Sequence, residues 1–192
     1  MRGGSILTGG LPDSVTVGGV QIPVETDYRL GLLTGALAED PDLREGDRMA
    51  LLLRLYCRKI PEGVDPEELT LAILDFYAMD PERKRPAQSG GKREPVYDFE
   101  TDGDRIFASF RLAYGIDLTE VRMHWWKFMI LLFSLPEDTP FMQAVRLRTM
   151  DLTEVQDDGL RRKLRQARGA VRIRKQRHGH EKGEDRIWQT EV

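Results

Sequence analysis

Side chains able to do bond chemistry are few and scattered in this chain. Three histidines, His124, His178 and His180, and one cysteine, Cys57, are all it holds. A zinc site takes three or four ligands, and only His178 and His180 stand close in sequence, in a polar tail that makes a poor cage. His124 adjoins an apolar run and reads as a structural imidazole, hydrogen-bonded at a helix surface. Cys57 lies in LLLRLYCRK, an apolar helical setting that buries a thiol, whereas a nucleophilic cysteine needs an electropositive, accessible one. A lone cysteine forms no internal disulfide and fits a reducing compartment. The motifs GxSxG, HExxH and the dinucleotide glycine pattern do not occur. Gly90-Gly91-Lys92 is followed by Arg93 where a phosphate-binding loop needs Ser or Thr, and no strand precedes it. Most carboxylates fall at helix starts, where the helix dipole accounts for them. These residues predict a protein that is not an enzyme, with no catalytic residue, no cofactor and no metal site.

The remaining candidates are binding surfaces. Trp125 and Trp126 are adjacent, and adjacent helical residues point about 100° apart. Either both indoles fill core, or one of them anchors a partner chain, as tryptophans do at interface centres. The second candidate is electrostatic. Residues 161–177 hold nine Lys or Arg and no acid. Taking those nine from the formal net charge of −3 leaves −12 on the rest, so an acidic body carries a basic C-terminal helix. Arg161, Arg162, Arg165 and Arg168 are its candidate partner contacts. Positive charge alone supplies the sequence-independent half of DNA binding. The run holds no aromatic residue, and the acidic body repels a polyanion at long range.

The elements that must position these residues follow from periodicity and turn chemistry. Residues 1–13 are Gly-rich and read as a flexible N-terminus. Residues 14–79 read as a hairpin plus helices. Ser14-Val15-Thr16-Val17 and Val20-Gln21-Ile22-Pro23-Val24 flank Gly18-Gly19, a hairpin signal, and Pro23 marks an edge strand. Thr26 or Asp27 starts a helix to about residue 38, in which Gly31 and Gly35 either admit a close neighbour or are simply tolerated. Asp47 is expected to cap a second helix, and Asp65-Pro66 opens a third. Residues 80–96, rich in Pro, Gly and mixed charge, read as a flexible linker. Residues 97–176 form the helical core around a central helix, 118–135, started by a capping-box spacing at Asp117 and Glu120. Its apolar run, 125–135, is broken only by Lys127 and Ser134, so other elements are expected to surround it. One helix ends at Gly115, and another is capped by Thr139 and begins at Pro140. The last, 157–175, carries the stripe Leu160, Leu164, Ala167 and Val171 for docking on the body. Residues 177–192 read as a flexible tail. The fold class is mainly α, a compact multi-helix domain with a small N-terminal β-hairpin. The 125–135 run is shorter than the roughly 20 residues that cross a bilayer, and residues 1–10, with one charge and no long apolar core, are not expected to act as a signal peptide.

The central stretch resembles a family of tailed-bacteriophage proteins, the gene product fifteen family of siphophages and prophages in Gram-positive bacteria. The matching pieces are Tyr97-Asp98-Phe99-Glu100 with Asp102, Tyr114-Gly115-Ile116-Asp117-Leu118, His124-Trp125-Trp126-Lys127-Phe128, Leu135-Pro136-Glu137-Asp138-Thr139 and Met150-Asp151-Leu152. The hairpin and Thr26-Asp27-Tyr28-Arg29 are also similar, so the likeness runs over about residues 7–168. It is the combination at this spacing that is specific. The resemblance implies a tail-assembly chaperone that works in the host bacterial cytoplasm and holds the helical tape-measure protein soluble until tail tubes form around it. It brings no catalytic residues. The chain departs from the family over Gly169 to Val192, where a basic and then mixed segment is added. Self-association, and a nucleic-acid-binding regulator or packaging factor using the basic helix, are the other readings.

Overall fold

The computed structural model describes residues 6–79 and 96–173. The 80–96 linker save its last residue, Gly90-Gly91-Lys92, His178, His180 and the 177–192 tail lie outside the described residues. Strands β1 (Ser14–Val17) and β2 (Val20–Pro23) pair antiparallel with Val17 opposite Val20. Gly18 and Gly19 both take positive φ, 56° and 81°. That turn geometry matches the twist of a tight hairpin and favours glycine at both positions. The hairpin buries Val15, Val17 and Ile22, and β1 packs on a helix, α4 (Pro66–Tyr77). Upstream, Ile6–Gly9 forms a single helical turn, α1, where a loose N-terminus is the sequence expectation.

Local caps set several boundaries where the sequence places them. Asp27 accepts from the Arg29 amide at 3.0 Å and opens α2 (Tyr28–Glu39). Asp65 does the same for the Glu67 amide, with Pro66 at the first helical position of α4. Gly115 ends α5 (Gly103–Tyr114) at φ 67°, its amide bonded back to the last turn. Asp157 caps α8 (Asp158–Ala170) through the Leu160 amide at 2.7 Å.

Other boundaries differ from expectation. Helix α3 (Glu45–Tyr56) starts before Asp47, with Arg44 as its uncapped N-cap, so Asp47 lies in the first turn and favours the dipole rather than capping. Thr139 precedes α7 (Pro140–Thr149), but its hydroxyl donates to the Pro136 carbonyl at 2.6 Å instead of capping the helix. The central helix, α6, spans only Trp125–Phe133. Asp117 closes a local turn on the amide and hydroxyl of Thr119. The chain then runs extended into a bridge between His124 and Asp27, with Tyr28 N–H to Met123 O at 2.8 Å and Trp125 N–H to Thr26 O at 2.7 Å. A helix over 118–124 would forfeit that pairing. Nor is α6 enclosed on every side, because Lys127, Ile130 and Phe133 form an exposed edge.

One hydrophobic core joins residues from Val15 to Phe141. Phe128 stacks on Tyr28 at 4.7 Å and on Phe110 at 5.3 Å, binding α2, α6 and α5 into one aromatic column. Gly31 lets α2 come down onto the face of the Trp125 indole; a Cβ there would lie 2.2 Å from the ring. A polar hub ties the C-terminal helices. Asp102, fully buried, accepts two hydrogen bonds from Arg148, at 2.6 and 2.8 Å, one from Arg105 at 3.1 Å and one from the Asp98 amide at 3.1 Å. Arg148 also donates to the carbonyls of Val96 and Val171. Helix α8 docks mainly through such bonds. None of its residues is buried and Leu160 is 50% exposed, so the apolar stripe contributes less than the sequence expectation. Arg168 bonds the carbonyls of Leu147 and Met150 instead.

Candidate partner-binding site

The two tryptophans serve α4. Trp125 is 1% exposed, stacks on Tyr77 at 5.1 Å and donates its indole N–H to the Tyr77 carbonyl at 2.8 Å. Trp126, half-buried, donates to the Phe76 carbonyl at 2.8 Å. Those are last-turn carbonyls of α4, which have no partner within their own helix. Because neighbouring helical side chains diverge by about 100°, adjacent indoles reach adjacent carbonyls. Both indole donors are therefore engaged inside the protein. His124 caps α6 with Nδ1, which accepts from the Trp126 amide at 3.0 Å, while Nε2 meets the Pro12 carbonyl at 2.8 Å. It is the structural imidazole that its sequence setting suggests.

The basic residues divide by direction. Arg161 bonds the Val155 carbonyl and Asp158, and Arg168 bonds back onto the end of α7. Arg162 and Arg165 are exposed and in no ion pair among the described residues. Cys57 is buried, which pushes its thiol up from its ordinary value. Among the described residues no group of three or more His, Cys, Asp or Glu is placed to hold a metal ion. No helix there is long and apolar enough to cross a membrane.

A feature that sequence reasoning did not find is a cleft of about 390 Å³ between α2, α5 and the 118–119 turn. Leu32, Ile106, Phe107, Phe128 and Phe99 give it apolar walls, and Gly103 leaves one side open. Its polar members are already satisfied. Tyr28 donates its hydroxyl to the Leu118 carbonyl at 2.6 Å, and Arg29 donates to the carbonyls of Leu118 and Thr119. Burial raises the Tyr28 phenol, with Arg29 opposing, so it stays a protonated donor at neutral pH. At the rim Phe107 is 37% exposed. The cleft offers apolar surface rather than reactive groups. Its one legible signal is Phe107, an aromatic beside the buried positions of α5; its walls come from segments some ninety residues apart, which no local pattern joins.

Fold and cleft together define a mainly α protein with one small hairpin and an apolar groove whose polar atoms are internally bonded. The family model described as bacteriophage Gp15 protein matches residues 7–173, and the chain belongs to that family. It is thus a phage protein, as the motifs from Tyr97 to Leu152 imply. Comparison with curated proteins and with solved structures gives no match.

Proposed function

We propose that this phage protein is a non-enzymatic tail-assembly factor. It would act in the host bacterial cytoplasm as a chaperone that binds an amphipathic helix of the tape-measure protein. The observation that carries the reading is the cleft between α2 and α5, apolar at its walls and with Tyr28 and Arg29 bonded internally. Such a groove accepts the apolar anchors of a helix, spaced three and four residues apart, without leaving polar groups unpaired. The acidic body around it keeps a complex with an apolar client soluble.

Co-expression with the tape-measure protein tests this. The client should become soluble and co-purify. Phe107→Glu, at an exposed rim position, should cut the co-purified client roughly tenfold or more, the loss expected of an interface anchor, while the variant still folds. A client equally soluble without this protein, and no co-purification, would sink the chaperone reading.

A further inference from the structure

We propose that the outward face of α8 is a binding site for the phosphate backbone of duplex nucleic acid, separate from the α2–α5 cleft. The structure sorts the cations of this helix into two sets that the sequence presents as one run. Arg161 and Arg168 turn inward and are held by carbonyls of the 150–155 turn and of α7. Arg162, Lys163, Arg165 and Arg172 remain exposed, and none of them is in an ion pair among the described residues. Arg162 and Arg165 are three residues apart and neighbour each other on the surface of α8, while Arg172 is exposed two residues beyond the helix end at Ala170. Lys163 flanks the pair. The acids of α8 stand at its start, Asp157 as the cap and Asp158 paired to Arg161, and no acid follows in residues 159–173.

Inward arginines therefore fix the helix on the body, and outward ones present a cluster of positive charge on α8, with Arg172 just past its end. Phosphates are its chemical complement, and guanidinium groups bind them with paired donors. The choice of duplex follows from what the face lacks. Single strands are held by aromatic platforms on which bases stack, and residues 158–173 contain no aromatic side chain. A cluster of cations with only Gln166 as a polar neighbour also has little with which to read base edges. Binding should therefore be independent of sequence and governed by salt.

The test is fluorescence anisotropy of the full chain with a short labelled DNA duplex of arbitrary sequence. The same length of single strand and polyglutamate serve as parallel probes. With four phosphate contacts, affinity should fall roughly a hundredfold between about 50 and 200 mM salt. Replacing Arg162, Lys163, Arg165 and Arg172 together by Gln should flatten that salt slope by about one unit per lost contact. The variant should melt like the parent, since all four side chains are exposed. No complex with duplex at low salt overturns the proposal. So does a folded variant that binds with unchanged affinity and slope, a single strand bound as tightly as the duplex, or polyglutamate bound as strongly as DNA.

Discussion

Arg148→Ala should cost about 3–5 kcal/mol of folding stability, the loss expected when one partner of a buried ion pair is removed and the other stays behind. Asp102 is fully buried and the Arg148 side chain only 8% exposed, so water does not replace the missing guanidinium. The substitution would also strip donors from the carbonyls of Val96 and Val171, loosening the segment before α5 and the end of α8 at once. Against a usual total of about 5–15 kcal/mol, that loss brings the protein near its threshold. Lysine should not rescue it, because an ammonium cannot span both carboxylate oxygens and two carbonyls from one planar group. Urea denaturation followed by circular dichroism measures the effect; a loss under about 1 kcal/mol, the value of an exposed pair, would show the pair to be solvent-screened. The same hub sets an acid limit. Burial alone would raise the Asp102 carboxyl, but the hydrogen bonds from Arg148 and the Asp98 amide, with the charges of Arg148 and Arg105, hold it below its ordinary value. A depressed native value means that the stabilisation is complete above the unfolded carboxylate range, about 4. It is lost as pH falls through the lower native value. Arg148→Ala should remove that acid-dependent part, flattening stability against pH below about 4.

Gly31→Ala should destabilise by about 2–3 kcal/mol, although helix propensity alone predicts a gain of about 1 kcal/mol from this exchange. The sign is decided by contact. The added methyl would sit 2.2–2.5 Å from three carbons of the Trp125 ring. That ring is itself held by its stack on Tyr77 and its bond to the Tyr77 carbonyl, so it cannot swing aside without uncapping α4. Overpacking of this kind typically costs 1–3 kcal/mol or more. Gly46→Ala is the control. It lies in the first turn of α3 with nothing within 4 Å of a built Cβ, and it should stabilise by about 0.5–1 kcal/mol. Thermal melts of the two variants should move in opposite directions; equal shifts would mean that α2 slides to accommodate the methyl.

What could be read from the sequence was local. Asp27, Asp65-Pro66, Gly115 and the Gly18-Gly19 turn act through hydrogen bonds or dihedral angles within a few residues, and each appears where its chemistry predicts. The capping-box spacing at Asp117 misled for an instructive reason. Asp117 satisfies a nearer turn at Thr119, and residues before Trp125 are drawn into backbone pairing with Thr26 and Tyr28, almost a hundred residues away. Tertiary pairing overrode a local signal. Separation along the chain likewise hid the Asp102–Arg148 pair, 46 residues apart, and the cleft, whose walls come from α2, α5 and the 118–119 turn. Gly31 was visible as a glycine with room to offer, but not what would fill the room. The arginines of α8 were visible as charge; which of them face inward depends on carbonyls at the end of α7.

The clasp of α6 on α4 also has a consequence in time. The carbonyls of Phe76 and Tyr77 wait for indoles that lie 50 and 48 residues further along the chain. At ribosomal rates of roughly 5–20 residues per second, the hairpin and first helices emerge several seconds before their clasp is made. Throughout that interval the Tyr77 carbonyl lacks its indole, the Phe76 carbonyl has only the Met79 amide three residues on, and the slot at Gly31 stands open beside Tyr28 and Tyr77. A nascent chain halted short of Trp125 would thus present the aromatic half of a core with nothing to close it, making that arrested intermediate, rather than the finished protein, the species most exposed to aggregation.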